Sequence, residues 1–181
     1  MSELAPGFLV AMPQLGDPNF QRAVVLILEH GEGGAMGLVI NRPAPISLSQ
    51  VARDQGYATG AGYEKAPVFI GGPVEPERGF VLHDRKDLPE AMPIVDGLCV
   101  SGSIESLKVL LQGPPDRFRL CLGYAGWGPG QLESELREGA WLAASVSRQH
   151  VLSTPPALAW EAVIRGMGID PARLQLGGGL H

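Results

Sequence analysis

Arg42, Arg78 and Trp127 are the side chains in this sequence best suited to holding a ligand. Each stands where an apolar run gives way to glycine or proline. Asn41 and Arg42 precede Pro43 at the end of "MGLVINRP". Gly71, Gly72 and Pro73 close "PVFIGGP", with Arg78 shortly after. Trp127 lies in "GYAGWGPG", with Gln131 just beyond. A guanidinium at the mouth of a buried strand needs a carboxylate or carbonyl, supplied by the protein or by a ligand. Glycine lets a ligand approach the backbone closely, and an indole offers a flat stacking wall. We therefore expect Asn41, Arg42, Gly72, Arg78, Trp127 and Gln131 to line one ligand-binding concavity, with Glu133 holding Arg42 when it is empty. Each residue also has an architectural role open to it. Asn41 can satisfy backbone groups at its strand end, and Arg42 can pair with Glu133 or Glu135. Arg78 can pair with Glu75 or Glu77, and Trp127 can anchor its corner in the core.

No catalytic constellation can be assembled. There is no G-x-S-x-G nucleophile elbow, and "GEGGAMG" lacks the Lys-Ser/Thr ending of a phosphate loop. No HExxH occurs, and His30, His83, His150 and His181 are isolated in sequence, so no metal site is expected. His30 and His83 both end strands and could converge, but nothing supplies a third ligand. The glycine run in "LQLGGGL" has no strand–loop–helix context. The helix that starts near Gln131 carries Glu133 and Glu135, which complement its dipole and repel a phosphate there. Catalytic residues stay unassigned and no cofactor is expected.

The 181 residues fit one domain, 1–181, able to bury a core without staples. Net charge is −5 and the arginines are scattered, which argues against specific nucleic-acid binding. No apolar run approaches a membrane span, and the opening "MSELAPGFLVAMPQLG" has no signal-peptide pattern. Cys99 and Cys121 sit in apolar, strand-like runs and read as reduced core thiols of a cytoplasmic protein.

The elements that must position these residues are legible in outline. "GFLVAMP" reads as a strand, and residues 22–41 as a hairpin around "GEGGA". In "ISLSQVARDQG", Ser47 is placed to cap a helix with Gln50 as its capping-box partner. "PVFIGGPV", "RGFVLH", "IVDGLCVS" and "WLAASVS" read as one strand each, and "DRKDLPEAMP" as connection. Ser103 caps a second helix, and Thr154 a last one with Pro155 at its first position. "RFRLCLGY" alternates, placing Phe118, Leu120, Leu122 and Tyr124 on one face. Strand pairs outnumber strict βαβ alternation, which predicts an α+β fold with a mixed, largely antiparallel sheet.

Four blocks, in order, carry a wider resemblance: "GFLVAMPQLGDPNFQRAVVLILEHGEGGAMGLVINRP", "FIGGPVEPERGFVLH", "LGYAGWGPGQLESELREGAWL" and "WEAVIRGMGID". Together they make the chain resemble the AlgH/YqgE family of bacterial proteins over nearly its whole length. The resemblance implies a bent, bifurcated sheet closed into a pseudo-barrel and flanked by helices. It implies no reaction. Members are named as regulators of gene expression, one of them linked to alginate production. The chain departs from the family near Gly139, where Asn is usual before an Ala/Ser–Trp pair, and at its end, "LGGGLH". On this basis the expected role is a non-catalytic binding or regulatory protein, with a small anionic molecule or a protein as partner. The alternative is an enzyme acting on a small anionic substrate.

Overall fold

The computed structural model describes residues 4–13, 15–18 and 20–175, which leaves the terminal "LGGGLH" and His181 outside the described residues. The apolar runs become strands: β1 (Gly7–Ala11), β2 (Val24–Gly31) and β3 (Gly34–Val39). β2 and β3 form the expected hairpin, with Leu28 bulged between Ile27 and Glu29. Then follow β4 (Pro43–Ser47), α1 (Leu48–Asp54), β5 (Pro67–Ile70), β6 (Val74–His83), β7 (Met92–Val95) and β8 (Leu98–Ser101). The chain continues through α2 (Ile104–Leu110), β9 (Phe118–Trp127), α3 (Gln131–Arg137), β10 (Trp141–Ala144), α4 (Arg148–Leu152), α5 (Pro156–Gly166) and α6 (Pro171–Gln175). Ser47 and Ser103 cap α1 and α2 as expected, accepting from the N–H groups of Gln50 and Glu105. Each such cap contributes about 1 kcal/mol.

The fold is α+β. Its curled sheet runs β10-β1-β2-β3-β9-β6-β8-β7, antiparallel throughout. The bifurcation lies at β9. On one edge β9 pairs with β6. On the other it pairs first with β5, in parallel through Cys121 and Leu122, and then with β3 through Ala125–Trp127. β4 extends the short branch beyond β5.

Three local expectations are corrected. "IVDGLCVS" is not one strand but most of a hairpin, β7–β8, turning at Asp96–Gly97 where Gly97 takes φ +79°. Asp-Gly is a strong tight-turn signal, and its left-handed glycine reverses the chain. The last long helix, α5, is not capped by Thr154: Pro155 is its N-cap and Pro156 its first residue. The Thr154 hydroxyl meets His150 Nδ1 instead, at 2.8 Å. The alternation of β9 breaks at Gly123, which takes φ +76°. Phe118, Leu120 and Leu122 therefore pack with Tyr63, Leu107 and Leu111, whereas Tyr124 packs with Phe80 in a separate cluster.

Both cysteines are buried and free. Burial pushes the Cys99 thiol up, and it pushes Cys121, on the central strand, up to about 12. A thiol reagent is expected to label both slowly in the folded protein and rapidly after unfolding. Labelling of either at the rate of an exposed thiol would contradict this packing.

His83 and His30 do not converge. His83 is fully buried at the end of β6. Its Nδ1 accepts from the Arg85 N–H at 3.1 Å, so its Nε2–H donates to Ser101 Oγ at 2.8 Å. Burial lowers its pKa from 6.5, with Arg85 reinforcing and Asp84 and Asp87 opposing. The unfolded chain then binds more protons than the folded one between 6.5 and that lowered value. Stability is expected to be full above pH 6.5 and to fall as the pH drops through this window. Denaturation midpoints measured against pH should show the fall flattened in His83→Gln. An unchanged profile would remove His83 as its source.

Candidate functional site

The sheet is curled but not closed, and its seam holds the candidate site. Among the described residues β7 ends the strand order and pairs only with β8. β2 outruns its neighbour, because β1 pairs only with Val24–Ile27 and leaves Leu28–Gly31 beyond its reach. A cavity of about 600 Å³ lies between these two places. Its walls are apolar, with Leu28 and Met36 on one side, Phe80 and Val100 beneath, and Met92 and Ile94 opposite. Glu29, Arg78 and Glu90 are its charged residues. An adjoining cavity of about 550 Å³ shares Glu29, Met36 and Arg78 and continues to Val74, Tyr124 and Trp127.

Arg78 stands where the two meet. Its guanidinium lies 4.9 Å from the centre of the Phe80 ring and 5.9 Å from that of Tyr124. It reaches Glu75 at 3.8 Å, and Glu75 accepts a hydrogen bond from the Tyr124 hydroxyl at 3.1 Å. Between Val74 and Gly79, β6 carries more residues than β9 opposite it, and this bulge swings Glu75 and Arg78 out over the sheet.

The six expected residues are not gathered in one concavity. Arg78 and Trp127 do share a cavity. Gln131 is tied beside Trp127: it accepts from the Gly128 N–H and donates to Glu135, which also takes the Trp127 indole N–H at 2.9 Å. Gly72 sits at the fork of the sheet, where a Cβ would overlap the Tyr124 carbonyl. Asn41 and Arg42 line neither cavity. Asn41 accepts from the Val24 N–H and donates to the Arg22 carbonyl, the strand-end role weighed for it.

Arg42 is not held by Glu133. Its guanidinium donates to the carbonyls of Pro18 and Gln21, at 3.1 and 2.7 Å, and feels the charge of Asp17. Glu133 instead accepts from His30 at 2.8 Å, tying α3 to the end of β2. The reason is reach: the carbonyls of Pro18 and Gln21 lie beside the end of β3, whereas α3 packs on the β2–β3 hairpin's far end. Arg42→Ala is expected to cost about 1–2 kcal/mol, through loss of two charge-assisted hydrogen bonds from a partly buried guanidinium to exposed carbonyls. Urea denaturation would measure it. A loss of several kcal/mol would instead indicate a buried ion pair.

Among the residues that sequence reasoning missed are Glu29, Met36, Phe80, Glu90, Met92 and Ile94. The Asp96–Gly97 turn was the available signal, since it makes "MPIV" an edge strand. No group of three or more His, Cys, Asp or Glu side chains is placed to hold a metal ion among the described residues. No helix among them is long and apolar enough to cross a membrane.

The family model described as AlgH-like matches residues 8–172 of this chain. The chain belongs to the AlgH-like family. A UPF0301 protein from Myxococcus xanthus is 52% identical over 181 residues, covering all of both chains. Another from Paracoccus denitrificans is 44% identical over 179 residues, 96% of this chain and 94% of the relative. The solution structure of the AlgH protein from Pseudomonas aeruginosa matches with TM-score 0.75 at 34% identity, covering 94% of this chain and 92% of that one. A crystal structure of a protein from Corynebacterium diphtheriae matches with TM-score 0.72 at 24% identity, over 97% and 92%, a likeness of fold alone. This AlgH-like chain thus shares its overall fold with the Pseudomonas aeruginosa protein.

Proposed function

We propose that this AlgH-like protein is a non-catalytic binding or regulatory protein whose ligand occupies the seam cavity. The observation that carries the reading is the lining of that cavity. It is predominantly apolar, of a volume suited to a small molecule or a short peptide, and has no Ser, Thr, Cys, His or Lys among its lining residues. A nucleophile and a base are what acyl or phosphoryl chemistry would require there. Any effect on gene expression is then exerted through the bound ligand or partner and not by reading duplex DNA, in keeping with the net charge of −5. A cytoplasmic setting suits the two free thiols.

The enzyme reading rests on a different place. His150 lines a second cavity of about 630 Å³ with Ser145 and Ser147, and burial lowers its pKa so that it stands neutral as a base would.

Nile red, a neutral apolar dye, tests the first reading. It is expected to bind the wild-type protein and to lose most of its affinity for Met36→Trp, which fills the seam cavity. Ile94→Trp serves as the second blocking variant should the first fold poorly. Dye binding unaffected by either would refute the site. Consumption of a compound from host extract by the wild-type protein, abolished in His150→Ala, would refute the non-catalytic reading.

A further inference from the structure

Two strands line the seam cavity with runs of consecutive residues. Met92, Pro93 and Ile94 line it in succession, and so do Leu28 and Glu29. Successive residues of a strand point to opposite faces. Here the alternation is broken in both runs, by the register shift between Ile27 and Glu29 and by that between Pro93 and Val95. Among the described residues, both runs belong to strand edges without a strand partner: the outer edge of β7, and the Leu28–Gly31 end of β2 that β1 does not reach. Exposed edges of this kind carry backbone donors and acceptors with no ladder to join, and an added extended segment satisfies them.

The charges at the seam say what that segment must carry. Glu29 and Glu90 are both exposed at its rim, on opposite sides. Arg78, the cation there, already faces Glu75 and lies over two aromatic rings. The excess charge offered to an incoming group is negative. Glu90 also holds a left-handed backbone, φ +57°, which a non-glycine residue adopts at a cost. Between the rims the exposed Met92 side chain and the partly buried Met36 and Ile94 offer apolar contact. Methionine adapts its shape to differing apolar partners.

We propose that the seam is a strand-addition site for an extended segment of a partner protein, apolar on the face it turns inward and bearing lysine or arginine beside Glu29 and Glu90. This rests on the reading that the seam cavity is the binding site, and it specifies the ligand. Backbone hydrogen bonds to β7 and to the end of β2 supply affinity. The methionines and Phe80 take the apolar side chains, and the two carboxylates select the basic ones.

The probe is a fluorescein-labelled heptapeptide of alternating valine and lysine, titrated into the full chain by anisotropy. Its counterparts are a valine–glutamate peptide and the valine–lysine peptide with alternate amides N-methylated. The valine–lysine peptide is expected to bind at least about tenfold more tightly than the valine–glutamate peptide. N-methylation should abolish binding, and amide exchange should slow at Met92, Ile94 and Leu28–His30 in the complex. The double variant Glu29→Gln with Glu90→Gln, both exposed positions, should weaken the basic peptide and remove its preference over the valine–glutamate peptide. Equal binding of the N-methylated peptide would overturn strand addition, and preference for the acidic peptide would overturn the charge assignment. Absence of peptide binding with Nile red still blocked by Met36→Trp would sink this inference alone. Loss of that blocking effect would sink the site beneath it.

Discussion

Gly72→Ala is expected to destabilise the protein by about 3–5 kcal/mol, among the largest effects a single methyl group can have. The cause is the fork of the sheet. Val39 donates to the Gly71 carbonyl, and Gly71 donates to the Leu122 carbonyl, so the chain at Gly71 threads between β3 and β9 where the two diverge. A Cβ on Gly72 would overlap the carbonyl of Tyr124 and approach the Ala125 nitrogen, both of them backbone. On the other side, a Cβ on Gly123 would run into the Gly72 carbonyl. Backbone cannot step aside as the tip of a side chain can, so the strands must part or the hydrogen bonds must break. Gly33→Ala is the control, because a Cβ there meets nothing. Urea midpoints should separate the two variants clearly. A Gly72→Ala protein as stable as wild type would mean that the fork has slack the close contacts do not suggest.

The same glycines show what was legible in the sequence. Punctuation of the kind in "VFIGGP" marks a place where backbone comes close to something, and sequence reasoning offered a ligand at Gly72. The structure supplies a neighbouring strand. Nothing local to residues 71–73 distinguishes the two, because the partner, Tyr124, lies far along the chain. Local chemistry was legible where it is satisfied locally. Ser47 and Ser103 cap the helices they precede, and the β2–β3 hairpin turns at its glycines. Asn41 was readable for the same reason, being a strand-end residue that serves its own hairpin. Arg42 and Glu133 both needed partners, but pairing them required knowing which turn folds on which strand. The cavity is still less readable. It is made by the absence of a neighbour for β7 and for the end of β2, and a missing strand leaves no residue pattern. Arg78 and Trp127 were the two site residues that share an opening: Trp127 ends β9, and Arg78 lies in the bulge of its neighbour β6.

Glu135→Ala is expected to cost about 2–4 kcal/mol, far more than an exposed helical glutamate would. Two tryptophans depend on it. Glu135 Oε1 accepts from the indole N–H of Trp127 at 2.9 Å and from that of Trp141 at 2.8 Å. Its other oxygen accepts from Gln131 at 2.9 Å. The two indoles meet edge to face at 5.9 Å, and Phe20 packs against both. Trp127 ends β9 and Trp141 begins β10, so one carboxylate holds α3 across the gap between two strands that do not pair. Alanine leaves two buried N–H donors without an acceptor, which is dearer than losing the hydrogen bonds alone. Glu135→Gln should be milder, since its carbonyl oxygen can still accept from the indoles. The decisive measurement is a cycle. In a Trp127→Phe, Trp141→Phe background the donors are gone, and Glu135→Ala should then cost less than about 1 kcal/mol. An equal cost in both backgrounds would show that Glu135 stabilises α3 without its tryptophans, and the clasp would have to be abandoned.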